Sequence, residues 1–178
     1  MVNFDFRLEV EDIIILGIDP GLAIVGWGVI EYKQNKFTTL GYGSIQTPST
    51  MRTEDRLVEI FKSMNQLLKT YNPDCVAVEE LFWNTNQTTG IRVSEARGVI
   101  LLSAARAGIP IYEYTPLQVK QAVVGYGRAE KKQVISMVTM FLKLEKTPKP
   151  DDTADALAIA VCHAHSGASR LANYYNQK

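Results

Sequence analysis

The sequence predicts an α/β fold in which buried strands alternate with amphipathic helices. Short apolar runs rich in β-branched residues recur along the chain, and the longer segments between them repeat their apolar residues with the helical period. In addition, two of the buried strands end in carboxylates. A carboxylate at the end of a buried strand is costly unless it is paired or holds a cation, so these ends are the first candidates for a functional site.

Length and composition are those of one compact domain. The chain has 178 residues, 46% of them hydrophobic, and no low-complexity linker. Residues 1–12 are interpreted as a loosely ordered N-terminal extension, 13–167 as the domain and 168–178 as a C-terminal tail. No stretch is long and apolar enough to span a membrane and the start is acidic, so a cytoplasmic protein is expected.

Charge and cysteine content narrow the function classes. The formal net charge is zero, but residues 84–149 contain ten basic and four acidic residues, so this region can face nucleic acid. Cys75 falls in a predicted strand and Cys162 in a predicted helix. Two isolated thiols form neither a disulfide framework nor a zinc site, and both are assigned to core packing.

The first strand is the run from Ile13 to Ile18, closed by Asp19-Pro20-Gly21. Asp19 either requires a compensating charge or merely begins the turn, and the motif alone does not decide. Two β-rich segments follow at 24–32 and 37–45, joined by a polar loop of hairpin length, which predicts three antiparallel strands.

Helices dominate the rest of the chain. A helix is predicted over 54–69, ended by Asn72-Pro73, and a buried strand over 75–79 ends in Glu79, followed directly by Glu80. The predicted elements after it are a long helix ending near Gly108, a strand at 109–114, a helix beginning at Pro116, a helix over 129–142, and an apolar helix that begins at 150–155.

The last helix begins with an acidic group. Asp155 shares a helix face with Asp152 or Asp151, and like charges so close repel unless a cation lies between them. Carboxylate oxygens suit Mg²⁺, and a two-metal site with ions about 3.5 to 4 Å apart supports phosphodiester hydrolysis. Asp151 can instead act as a helix N-cap, which capping preference favours.

Several motifs together resemble the RuvC family, the bacterial Holliday-junction resolvases. They are Gly17 to Gly21, Ala77 to Glu79, Val119 to Gln121, Val124 to Lys131 and Asp152 to Ala160. The match runs in register from about Ile13 to His165. The resemblance implies a ribonuclease H-like fold, with a five-stranded mixed sheet flanked by helices. It also implies a homodimer that makes paired incisions in four-way DNA junctions during recombination and repair. It also implies the branch-migration partners RuvA and RuvB.

The resemblance places the catalytic and metal-binding tetrad on Asp19, Glu79, Asp152 and Asp155. It implies Mg²⁺, two ions per site, with Mn²⁺ able to substitute. Asp151 then becomes the cap and Glu80 the neighbour of the catalytic acid. The third acidic position is His in some relatives, so Asp152 is the less constrained member.

The resemblance also assigns DNA contacts to Phe82, Lys120 and Lys131. Without it, the lysines would be ordinary solvated side chains and Phe82 a loop residue anchored in the core. For the dimer, the expected contact surface is the long helix from about Thr89 to Ala107.

Other classes explain less of the sequence. Actin-like ATPases and sugar kinases are duplicated and larger, and a non-catalytic DNA-binding module leaves the acidic element ends unexplained. The serious alternative is another ribonuclease H-like nuclease, of the ribonuclease H or transposase type.

Overall fold

The computed structural model describes residues 12–81 and 87–166. In these ranges the chain forms a five-stranded sheet and five helices. The strands are β1 (Ile13–Asp19), β2 (Ile24–Lys33), β3 (Lys36–Gln46), β4 (Cys75–Glu79) and β5 (Ile111–Tyr114). The helices are α1 (Thr53–Tyr71), α2 (Gln87–Arg106), α3 (Pro116–Val124), α4 (Lys131–Phe141) and α5 (Asp151–His165).

The sheet is mixed, with the strand order β3-β2-β1-β4-β5. The antiparallel pairs β1–β2 and β2–β3 confirm the predicted three-stranded meander. Its hairpin turn has positive φ at both Gln34 and Asn35, which suits the twist of the strands that it joins. β4 runs parallel to β1, and β5 runs parallel to β4, so the ends of these three strands meet at one edge of the sheet.

β1 lies at the centre and is buried on both faces. Ile15 belongs to a core shared with α3, α4 and α5, whereas Leu16 and Ile18 belong to a core shared with α1 and α2. Alternate side chains of one strand therefore supply both cores, which is why the sequence of β1 is apolar without interruption.

α5 packs directly on the sheet because glycines of β1 and β2 lie beneath it. A Cβ added at Gly17 would come within 2.1 Å of the Ala156 carbonyl oxygen, and one at Gly26 within 1.9 Å of the Asp152 carbonyl oxygen. Nearly every residue of α5 from Thr153 to Ala164 is buried. The glycines thus bring the first turn of α5 to the end of β1.

Several sequence-derived boundaries are confirmed and some are wrong. α1 ends at Asn72, in the left-handed conformation, and α3 begins at Pro116 after the capping residue Thr115. α4 begins at Lys131, not at 129, because Glu130 forms a capping box with Gln133.

The start of α5 and the two cysteines test two further predictions. The prediction that Asp151 caps α5 is wrong, because Pro150 occupies the N-cap position and Asp151 is the first helical residue. Cys75 and Cys162 are buried free thiols, as predicted. In the described ranges, no helix combines the length and apolarity needed to cross a membrane.

Candidate active site

Two acidic side chains lie side by side where neighbouring parallel strands end. Ile18 of β1 pairs with Val78 of β4, so Asp19 and Glu79 are the next residues of the two strands. Both are the last residues of their strands, and both are only partly exposed. The fold therefore brings together two carboxylates that are sixty residues apart in sequence.

The first turn of α5 adds the other two acids. Gly26 of β2 pairs with Asp19, and the Asp152 carbonyl lies directly over Gly26. Asp155 follows one helical turn later and is also partly buried. The structure thus collects all four acids that the sequence analysis assigns to the tetrad.

The electrostatics show that these carboxylates interact. Burial raises the pKa of Asp19 to about 8, and repulsion by Glu79, Asp155 and Asp152 adds to the effect. Burial, followed by repulsion from Asp155, also raises the pKa of Glu79. Four carboxylates so close together repel one another, and this repulsion is relieved only when one of them takes up a proton or when a cation binds between them.

Lys131 supplies a positive charge from the start of α4. Its Nζ lies 2.8 Å from Asp155 Oδ2 and 3.7 Å from Asp151 Oδ2. Burial opposes the charged form of Lys131, but the hydrogen bond to Asp155 and the surrounding carboxylates raise its pKa overall. The ammonium is therefore held charged against the acidic group.

Lys120 approaches the same group from α3. Its charge, together with that of Lys131, lowers the pKa of Glu79 against the larger effects of burial and of Asp155. The two lysines that the resemblance assigns to DNA contacts thus both lie near the acids. Phe82, the third such residue, lies outside the described residues.

The structure separates each acid of the group from its acidic neighbour in sequence. Glu80 is exposed, and its backbone N–H donates to the Tyr114 carbonyl as the pairing of β4 with β5 ends. Asp151 is exposed, whereas Asp152 is half-buried and acts on Asp19. The inward members are therefore Glu79 and Asp152.

Arg97 of α2 is a contact that the sequence analysis missed. Its Nε donates to the backbone carbonyl of Glu79 at 3.3 Å, and its Nη2 lies 2.7 Å from Glu113 Oε2 on β5. The side chain is only 15% exposed. Arg97 ties α2 to the acidic end of β4, and no pattern in the sequence distinguishes it from the other arginines of the helix.

The donor set fits a hard divalent cation. Carboxylate oxygens are the ligands of Mg²⁺ and Mn²⁺, and a cation would remove the repulsion that raises the pKa of Asp19. In residues 12–81 and 87–166, no three acidic, His or Cys side chains are arranged closely enough to enclose an ion as they stand. In this arrangement Asp155 is paired with Lys131.

Two features together define the class of ribonuclease H-like nucleases. One is the strand order of the sheet, and the other is the set of carboxylates at the ends of β1 and β4 and at the start of α5. Comparison with known proteins agrees. The family model described as crossover junction endodeoxyribonuclease RuvC matches residues 15–163. The chain belongs to the RuvC family.

Relatives and solved structures support the assignment over most of the chain. The RuvC of Alkaliphilus metalliredigens is 63% identical over 154 residues, which are 86% of this chain and 94% of the relative. The RuvC of Clostridioides difficile is 60% identical over 153 residues, 86% of this chain and 90% of that one. Thermus thermophilus RuvC in complex with Holliday junction substrate has a TM-score of 0.84 at 36% identity, covering 89% of this chain and 96% of that one.

Proposed function

We propose that this protein resolves Holliday junctions by paired, metal-dependent hydrolysis of phosphodiester bonds during recombination and DNA repair. The observation that carries the proposal is the group of four mutually repelling acids at the end of the central strand. Family membership supports the substrate, since one of the matching Thermus structures is described as a complex with a Holliday junction. The nuclease domain is proposed to comprise residues 13–167.

Asp19, Glu79, Asp152 and Asp155 are the proposed ligands of two Mg²⁺ ions, for which Mn²⁺ can substitute. When bound, such ions activate a water molecule and stabilise the leaving oxygen. The chain contributes the negative charge and its fixed position: two acids on adjacent strand ends and two on a helix packed against them.

Lys120 and Lys131 are the proposed contacts to the phosphate that is cut. Support comes from their position, because both lysines lower the pKa of Glu79 and Lys131 contacts Asp155 directly. A cation here stabilises charge that develops on the phosphate oxygens. Phe82, three residues beyond Glu79 in the sequence, is proposed to stack on a base of the junction.

Paired incisions require two active sites, and a C2 homodimer provides them with one self-complementary surface. α2 is the proposed interface, since Ile91 and Leu102 on its outer face are 52% and 53% exposed. Gly98 lies between them, and a Cβ added there would meet no atom within 4 Å. RuvA and RuvB are the proposed branch-migration partners, on the strength of the family.

The test is a choice of substrates. Purified protein in Mg²⁺ is incubated with a four-way DNA junction, a linear duplex of the same sequence and an RNA/DNA hybrid. Symmetric nicking of the junction alone is expected. Cleavage of the RNA strand of the hybrid, with an intact junction, would assign the protein to the ribonuclease H type instead. Asp19→Asn is the control for contaminating nucleases, because it leaves the rest of the chain unchanged.

A further inference from the structure

Two large apolar side chains are exposed near the turn between α3 and α4: Tyr126 lies in the turn, and Leu117 lies in the first turn of α3. Tyr126 is 46% exposed and Leu117 is 59% exposed. Leu117 lies against the main chain of Gly127, because a Cβ added at Gly127 would come within 2.1 Å of Leu117 Cδ1. The leucine of α3 therefore packs against the turn that carries the aromatic, and neither residue belongs to the buried core.

This turn connects the two helices whose lysines act on the acidic group. It follows α3, where Lys120 acts on Glu79, and it precedes Lys131, whose Nζ contacts Asp155. Leu117 and Lys120 are three residues apart on α3 and therefore neighbours on the helix surface. Tyr126 is thus placed between the two elements whose lysines reach the acids.

The turn is anchored at both ends, so Tyr126 is presented from a fixed position. Gly125 ends α3 with φ of 92°, and its N–H donates to the Gln121 carbonyl at 2.9 Å. On the other side Ala129 is buried, and Glu130 caps α4 through its capping box with Gln133. An anchored aromatic loses little conformational entropy when a partner binds.

The charges around the turn identify the kind of partner. Arg128, Lys131 and Lys132 are exposed on its C-terminal side, and they outnumber the one acid there, Glu130 at the N-cap of α4. An exposed aromatic surrounded by cations and next to a phosphodiesterase site fits a DNA strand, whose bases stack on the ring and whose phosphates pair with the cations.

We propose that Tyr126 is a base-stacking residue, which holds an unstacked base of the junction next to the phosphate that is cut. Leu117 supports the edge of that base, and Arg128 contacts the phosphate beside it. This inference rests on the proposed junction activity and adds a second aromatic contact to the one proposed for Phe82.

The experiment compares Tyr126→Ala, Tyr126→Leu, Tyr126→Phe and Tyr126→Trp. Single-turnover cleavage is measured on a junction that carries 2-aminopurine next to the cut phosphate, whose fluorescence rises when the base leaves the stack and falls when an aromatic covers it. One stacked base is worth about 1 to 3 kcal/mol, so Tyr126→Ala and Tyr126→Leu are expected to lose about 10- to 100-fold in cleavage efficiency. Tyr126→Phe and Tyr126→Trp should retain most of the cleavage efficiency, and the 2-aminopurine fluorescence should stay quenched in both.

Met140→Ala is the matched control, because Met140 is a large apolar residue near the other end of α4 and is at least as exposed as Tyr126. It should cleave like the wild type. The proposal is overturned if Tyr126→Ala cleaves and quenches like the wild type, if the Leu variant matches Phe, or if a fall in melting temperature accounts for the loss. A wild-type protein that fails to cut the junction would instead refute the proposed function, so the two failures are distinguishable.

Discussion

The ionised form of Asp19 is unfavourable, because burial and three neighbouring acids raise its pKa to about 8. A proton or a bound cation removes this cost. We expect Asp19→Asn, Glu79→Gln and Asp155→Asn each to lower junction cleavage by orders of magnitude, because each removes a metal-binding charge at nearly constant volume. Junction affinity, measured in Ca²⁺ or without metal, should persist. Glu80→Gln is the matched control and should cleave normally. Wild-type cleavage by Asp19→Asn in Mg²⁺ would show that the site assignment is wrong.

Lys131 differs from its neighbour Lys132 in one respect that matters for chemistry. Its Nζ contacts Asp155, whereas Lys132 forms no ion pair with an acid in the described ranges. We therefore expect Lys131→Ala to slow single-turnover cleavage more than it weakens junction binding, since one cation adds little to total phosphate neutralisation. Lys132→Ala should weaken junction binding more than it slows single-turnover cleavage. Equal losses of affinity in both variants, with unchanged cleavage rates, would reduce Lys131 to a plain phosphate contact.

Single residues differ in how far the sequence reveals them. Asp19 and Glu79 stand out because a carboxylate closing a buried strand is an exception to the apolar pattern, but the family resemblance was needed to choose a site over a turn for Asp19 and to choose Glu79 over Glu80. Lys120 and Lys131 required the family resemblance, because a lysine on a helix surface has no distinguishing pattern. Arg97 could not be predicted at all: its hydrogen bond to the Glu79 carbonyl exists only once α2 packs beside β4.

At the scale of elements, the contact of α5 with the sheet sets the geometry of the acids. We expect Gly26→Ala to push the first turn of α5 outward, because the new Cβ would overlap the Asp152 carbonyl. Overpacking of this kind costs roughly 1 to 3 kcal/mol of stability. Cleavage should fall further than stability explains, as Asp152 and Asp155 move away from Asp19.

The matched control for that change is Gly28→Ala. Its Cβ would come within 2.5 Å of Leu157 Cδ2 and 2.7 Å of Leu157 Cγ, whereas the nearest atom of the helix backbone is 3.3 Å away. Both variants should melt at lower temperature, but only Gly26→Ala should lose most of its activity at a temperature well below its transition. If the two variants lose activity in proportion to their stability, the spacing of α5 is not critical for the site.

Local sequence determines where most helices begin and end, but it does not determine how the strands are paired. Asn72, Thr115 and Gly125 end or cap helices as their residue types predict. α4 begins two residues later than its apolar pattern predicts, because Glu130 occupies the N-cap position, where Ser or Thr is the more usual residue of a capping box. That β4 runs parallel to β1 is not visible in either strand, since it depends on the path of α1 between them.

For the whole molecule, the assembly is the property most open to test. We expect Leu102→Glu to convert a dimer into monomers in sedimentation velocity, because it introduces a charge into the proposed α2 surface. Met140→Glu, at a similarly exposed position on α4, should leave the dimer intact. A monomeric wild type that resolves junctions, or a Leu102→Glu protein that remains dimeric, would contradict the assignment of α2.

The packing of α5 on β1 also has a consequence for synthesis of the chain. The acids at the end of β1 and on α5 are separated by 155 − 19 = 136 residues. At about 5 to 20 residues per second, a ribosome needs about 7 to 27 s to pass from the first to the last of them. During that time the emerging chain carries first Asp19 and then also Glu79, but no complete acidic group. A product that stops before α5 would therefore be unable to cut DNA, so incomplete translation does not release an active nuclease.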